Sequence, residues 1–155
     1  MKVGIRTTGT VQQLPFDQVC AWLQANDFDT IDVGSVTPDM VKSAEAHGVE
    51  IGQVDLNAGA DLLNDDPALQ KAAVSAATES IQVAADNGVN NMFYVAPAPS
   101  DPSQGRAASL EQWKRTMPAI CEYAESVGSV IALEGWPGGS THLERIGATP
   151  ELLRA

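Results

Sequence analysis

The chain has 155 residues, the length of one ordinary domain, and 44% of them are hydrophobic, a globular rather than a disordered composition. Nine Lys and Arg stand against twenty Asp and Glu, for a net charge of −11, and such a surface repels nucleic-acid phosphates and anionic lipid alike. No apolar run approaches the ~18 residues that span a bilayer, and Met1-Lys2-Val3-Gly4-Ile5 enters a strand without signal-peptide organisation. The expectation is a cytoplasmic protein with neither nucleic acid nor membrane as partner.

Strand and helix signals alternate along the whole chain. Lys2 to Arg6 reads as a strand, and Phe16, Val19, Cys20 and Leu23 share one face of a helix from about Pro15 to Asn26. Thr30 to Gly34 is the second strand. Thr37-Pro38-Asp39 supplies an N-cap, a first-turn proline and a first-turn acid for a helix that ends before Gly48. Ile51 to Leu56 is the third strand, and Asp66-Pro67 starts an alanine-rich helix that runs to about Asn87. Asn91 to Ala96 is the fourth strand, and Pro97 to Gly105 reads as a loop. A helix from about Ser109 to Val127, with Pro118 inside it, precedes the fifth strand, Val130 to Glu134. Gly48, Gly88 and Gly128 each stand between a helix and a strand, where a left-handed residue ends the helix. Cys20 and Cys121 have no metal or redox spacing and are expected to be buried small apolar groups. Trp22 and Trp113 are expected to pack helices on the sheet. Thr149-Pro150-Glu151-Leu152-Leu153-Arg154 echoes Thr37-Pro38-Asp39-Met40-Val41-Lys42 and would open a fifth helix that Ala155 cuts short, so truncation is expected.

Repeated strand–helix units with right-handed crossovers form a parallel sheet, either open and doubly wound or closed into an eight-stranded barrel. Length favours a complete flavodoxin-like module. The unfinished last helix favours the first five-eighths of a (β/α)8 barrel of roughly 250 residues or more, with residues 1–155 as one domain.

In a barrel, strand residues alternate between the lumen and the helix layer. That alternation sends Val3, Ile5, Ile31, Val33, Val54, Leu56, Ile131 and Leu133 outward, and it gathers Arg6, Asp32, Asp55 and Glu134 around one mouth. Strand four stays open, because Met92 with Tyr94 and Phe93 with Val95 are equally apolar sets. A structural network in which Arg6 neutralises neighbouring carboxylates competes with a substrate-binding role for Arg6 and Asp55. Glu134 ends an apolar strand where parallel α/β proteins collect their active sites, and a carboxylate there can ligate a hard divalent cation or act as a general base. Trp136 would either wall a sugar pocket or belong to a mere Trp-Pro-Gly turn. His142 follows on the same side, as a candidate substrate contact. His47 falls in the last turn of a helix, an ordinary structural place for it.

The segments Lys2-Val3-Gly4-Ile5-Arg6-Thr7, Gly52-Gln53-Val54-Asp55-Leu56 and Ile131-Ala132-Leu133-Glu134-Gly135-Trp136-Pro137-Gly138, followed by Thr149-Pro150-Glu151, resemble the xylose-isomerase-like TIM barrels of the sugar phosphate isomerase/epimerase family. The resemblance covers the whole chain in order. It implies a divalent metal (Mn, Mg, Co or Zn), a sugar or sugar phosphate substrate, and isomerisation or epimerisation by proton transfer through an enediolate. It also implies that Glu134 is both a metal ligand and an acid/base group. The family's Asp, His and Glu ligands on strands six to eight would lie beyond Ala155, so this fragment alone is expected to be inactive. Its unpaired strand edges are open to association, including a homo-oligomer. Metal-dependent abasic-site nucleases of the same superfamily carry histidines at the ends of the earlier strands. Here those ends read Asp32-Val33-Gly34-Ser35, Val54-Asp55-Leu56-Asn57 and Val95-Ala96-Pro97, without one. A non-catalytic half-barrel is the remaining alternative.

Overall fold

The computed structural model describes residues 1–99, 101, 103–136, 146 and 147. Strands β1 (Gly4–Arg6), β2 (Thr30–Val33), β3 (Glu50–Asp55), β4 (Asn91–Val95) and β5 (Val130–Glu134) alternate with helices α1 (Phe16–Ala25), α2 (Pro38–Ala46), α3 (Pro67–Asp86) and α4 (Arg106–Ser126). Short 3-10 helices at Gly9–Gln13 and Ala60–Leu63, which strand and helix periodicity did not foretell, sit in the loops after β1 and β3. The helix starts follow the sequence signals: the Thr37 side chain accepts from the Met40 N–H, and Asp66 accepts from the Ala68 N–H at 2.8 Å. Helix α4 begins at Arg106, one turn before the sequence suggests, and runs through Pro118.

All five strands are parallel and lie in the order β1-β2-β3-β4-β5. A flavodoxin-like sheet reverses direction at a switch point and reads 2-1-3-4-5. No reversal occurs here, so the open doubly wound module is excluded and the five units follow the winding of a barrel. The helices cover one face. Ile31, Val33, Ile51, Val54, Met92 and Tyr94 are buried against Leu23, Ala77, Ile81 and Ile120 from the helices. The opposite face carries the half-exposed Arg6, Asp32, Gln53 and Asp55. No helix among the described residues is long and apolar enough to cross a membrane.

Helices α2, α3 and α4 end alike. At Gly48, Gly88 and Gly128 φ is 66°, 78° and 73°. In each case the glycine N–H and the next N–H reach back to helix carbonyls, as with Gly88 to Ala85 at 2.9 Å and Val89 to Ala84 at 2.9 Å. Helix α1 ends the same way with Phe28 bonded to the Leu23 carbonyl at 3.0 Å, yet its left-handed residue is Asp27, at φ 60°. A β-carbon is unfavourable there, while glycine makes the unfolded chain more flexible. Asp27→Gly should therefore be a small net gain, about 0.5 kcal/mol, read as a raised denaturation midpoint with an unchanged m-value.

Two residues, Cys121 and Trp22, sit otherwise than the sequence suggests, while His47 takes the structural place expected of it at the end of α2. Cys20 is buried as expected, but Cys121 is exposed, because Ile120 and Ala124 take the buried stripe of α4 and turn Cys121 aside. Trp22 is 52% exposed and stacks on Phe28 with ring centroids 5.6 Å apart, instead of packing under the sheet. His47 ties α2 to α1: its Nε2 lies 3.0 Å from Asp17 Oδ1 and its Nδ1 3.2 Å from Gln24 Oε1. With Ser43 donating first and His47 beside it, the Asp17 carboxyl is held below the ordinary carboxylate range.

Candidate active site

The face away from the helices is set strand by strand. On β1, Gly4 lets the backbone come against Thr30: a β-carbon at Gly4 would stand 2.6 Å from the Thr30 carbonyl oxygen. This close approach fixes the pairing Gly4↔Thr30 and, two residues on, Arg6↔Asp32. Between β2 and β3 the register shifts at Ile31/Asp32, so that Ile31 pairs with Ile51 but Asp32 with Gln53. The extra residue is Gly52, a bulge that buries both Ile51 and Val54 and turns Gln53 and Asp55 to the open face. A β-carbon at Gly52 would lie 2.8 Å from Asp32 Oδ1, so glycine leaves room for that carboxylate, and Gln53 Nε2 donates to its other oxygen at 2.9 Å.

Strand β4 resolves the choice that the sequence left open. Tyr94 goes to the helix side and stacks on Trp113 of α4, centroids 5.6 Å apart and planes 9° from parallel. Burial pushes the Tyr94 pKa up, and its hydroxyl has no hydrogen-bond partner among the described residues. Phe93 and Val95 therefore join Arg6 and Asp55. Arg6 Nη2 donates to both carboxylate oxygens of Asp55, at 2.7 and 2.5 Å, and its guanidinium lies over the Phe93 ring, 4.6 Å from the centroid. Its Nη1 is buried and has no hydrogen-bond partner among the described residues. The structure thus brings Arg6 and Asp55 together as an ion pair, with both side chains one-third exposed.

A cavity of about 320 Å³ opens at this point, bounded by Arg6, Asp55, Phe93 and Val95 and rimmed by Gly59 and Ala60. The rim is held from the helix layer. Gln104 Nε2 donates to the Leu63 carbonyl at 2.9 Å, and Gln112 Nε2 donates to Asp65 at 2.5 Å, which seats the loop after β3 on α4 and on the residues just before it. Phe93, Val95, Gly59 and Ala60 are among the cavity residues that sequence reasoning did not assign. Phe93 was discoverable only through the Tyr94–Trp113 stack, a contact between distant segments.

On β5, Ile131 packs against the core and Leu133 lines a hollow beside Trp113 and Met117, so alternation puts Ala132 and Glu134 on the cavity side. Glu134 pairs in register with Val95, at the end of the strand. It is half-buried, and Trp136 just beyond it is 48% exposed. His142 lies outside the described residues, as does the Thr149–Arg154 segment. No group of three or more His, Cys, Asp or Glu that could hold a metal comes together among the described residues. Asp55 is taken by Arg6, and Asp32 is bonded by Gln53. Among the described residues these donors complete no metal site, and Glu134 is left as the mouth carboxylate not held by a neighbouring side chain.

The comparisons with known proteins agree with this architecture. No curated protein sequence matches the chain. Mannonate dehydratase from Streptococcus suis serotype2 superposes with a TM-score of 0.73 at 18% identity, over 99% of this chain and 59% of its own. A D-psicose 3-epimerase from Clostridium cellulolyticum H10 gives 0.68 at 16% identity, over 86% and 52%. A D-tagatose 3-epimerase-like protein gives 0.70 at 20% identity, over 99% and 58%. The chain thus spans between half and three-fifths of the length of these structures, and at such identities they speak for the fold alone. The sequence model for the xylose isomerase-like TIM barrel matches residues 11–155, nearly the whole chain. This chain belongs to the xylose isomerase-like TIM barrel family.

Proposed function

We propose that residues 1–155 form the first five-eighths of a (β/α)8 barrel whose mouth isomerises or epimerises a sugar or sugar phosphate by proton transfer. The observation that carries the reading is the position of Glu134. It is a carboxylate ending β5, in register with a residue of the Arg6–Asp55 cavity, on the rim where barrel enzymes place their reacting groups. The superposition on two sugar epimerase-type proteins adds support.

In this reading the Glu134 carboxylate takes the proton from the carbon beside the sugar carbonyl. The electron pair moves toward the carbonyl oxygen to give an enediolate, and the proton held on Glu134 exchanges with solvent. A proton is then delivered to the neighbouring carbon by Glu134 or to the opposite face by a second acid outside the described residues. Asp55 accepts from sugar hydroxyls while Arg6 fixes its orientation. Trp136 walls the sugar, and His142 contacts it. A divalent cation (Mn, Mg, Co or Zn) belongs to the reading, with Glu134 as one ligand and the others outside the described residues. When bound, it would polarise the sugar's oxygens.

The test is a panel of ketoses, aldoses and their phosphates, incubated with the polypeptide carrying this chain and Mn²⁺ or Mg²⁺. At least one pair should interconvert, and a chelator should stop the conversion. Absence of conversion across the panel would favour a non-catalytic half-barrel. Conversion that survives the chelator would remove the metal from the reading.

A further inference from the structure

We propose, resting on the sugar-converting reading above, that the Arg6–Asp55 cavity receives an uncharged, hydroxyl-bearing end of the substrate and excludes a phosphate group. Among the described residues, the charged side chains at the mouth end of the open face are Arg6, Asp32, Asp55 and Glu134. The single cation is spent. Arg6 Nη2 is held by both oxygens of Asp55, the guanidinium plane rests on Phe93, and Nη1 is buried rather than offered to the cavity.

The other described cations stand elsewhere. Lys2 pairs with Glu50, at the start of β3 and so at the far end of the sheet from the mouth. Lys42, Lys71, Arg106, Lys114 and Arg115 lie on helices. Among the described residues, a phosphate entering the cavity would meet carboxylates and no free donor of positive charge, and like charges brought together in a partly desolvated site are disfavoured. A sugar hydroxyl is suited to the same surroundings, because it can donate to the Asp55 carboxylate. Asp55 therefore acts as a specificity residue: it occupies the arginine that would otherwise bind an anion.

The experiment compares kcat/KM for a ketose and for its phosphate esters, in the natural protein and in Asp55→Asn. The natural protein should prefer the neutral ketose by at least about tenfold, and Asp55→Asn, which frees Arg6, should narrow that ratio by about tenfold. Binding of inorganic phosphate, followed by ³¹P line broadening, should be absent in the natural protein, appear in Asp55→Asn, and vanish again when Arg6→Ala is added. Preference of the natural protein for an ester overturns the inference and leaves the functional reading standing. An unchanged ratio in Asp55→Asn also overturns the inference alone. Failure to turn over any sugar defeats the functional reading. In that case phosphate binding decides the inference, which falls if the natural protein binds phosphate or if Asp55→Asn gains none.

Discussion

Gly4→Ala is expected to unseat the first strand and to cost about 2–3 kcal/mol of stability, the upper part of the range for overpacked positions. The added β-carbon would fall 1.9 Å from Thr30 Oγ1 and 2.6 Å from the Thr30 carbonyl oxygen. The hydroxyl can rotate away, but the carbonyl belongs to the backbone that pairs with β1. Relief therefore requires β1 to move, and Arg6 moves with it. Chemical denaturation measures the loss, and Gly52→Ala is the control. There the new carbon would meet Asp32 Oδ1 at 2.8 Å, the far end of a side chain that can swing aside at the expense of one hydrogen bond from Gln53. That variant should lose less than about 1 kcal/mol. Equal losses in the two variants would show that the close packing of β1 on β2 is not what fixes Arg6.

Glu134→Gln carries the largest functional effect. The substitution keeps the size and hydrogen-bonding reach of the side chain but removes the carboxylate that takes the proton. Proton transfer by a positioned side chain is worth roughly 10²–10⁴-fold in rate, so kcat should fall by about 10³ while the denaturation midpoint stays within about 0.5 kcal/mol of the natural protein. Glu134 has no hydrogen-bond or ion-pair partner among the described residues, which is why little stability is at stake. A variant that retained more than about a tenth of the rate would take the proton-transfer role away from Glu134.

The way residues are distributed between the two faces of the sheet was largely written in the sequence. Apolar alternation on β1, β2, β3 and β5 foretold that Arg6, Asp32, Asp55 and Glu134 would share the face opposite the helices, and the resemblance pointed to the same barrel that the strand order displays. Glycines at 48, 88 and 128 were readable because a left-handed residue after a helix has few alternatives. The remainder depended on contacts between distant segments. Periodicity sees no difference between Phe93 and Tyr94, and the stack on Trp113 decides it. The bulge at Gly52 reconciles Ile51 with Val54, two residues that strict alternation would put on opposite faces. Strand order, which excludes the flavodoxin-like alternative, has no local signature at all. Trp22 and Cys121 failed for a related reason: a helical stripe shows which residues are apolar, not how far the neighbouring element extends over them.

The Arg6–Asp55 pair joins the two readings that the sequence left in competition. It neutralises a carboxylate, as a structural network would, and it also forms a wall of the cavity lined by the open-face residues Phe93 and Val95. A pair that is one-third exposed is worth less than a fully buried one, so its chief consequence is the charge it removes from the mouth.

The most direct test of the proton-transfer account is deuterium incorporation into the sugar in D₂O, followed by proton NMR at the carbon beside the carbonyl, with the Glu134→Gln variant run in parallel. The account predicts that the natural protein exchanges that single proton and that the variant does not. Conversion of the sugar with no solvent deuterium in the product, or equal exchange by the variant, would contradict it.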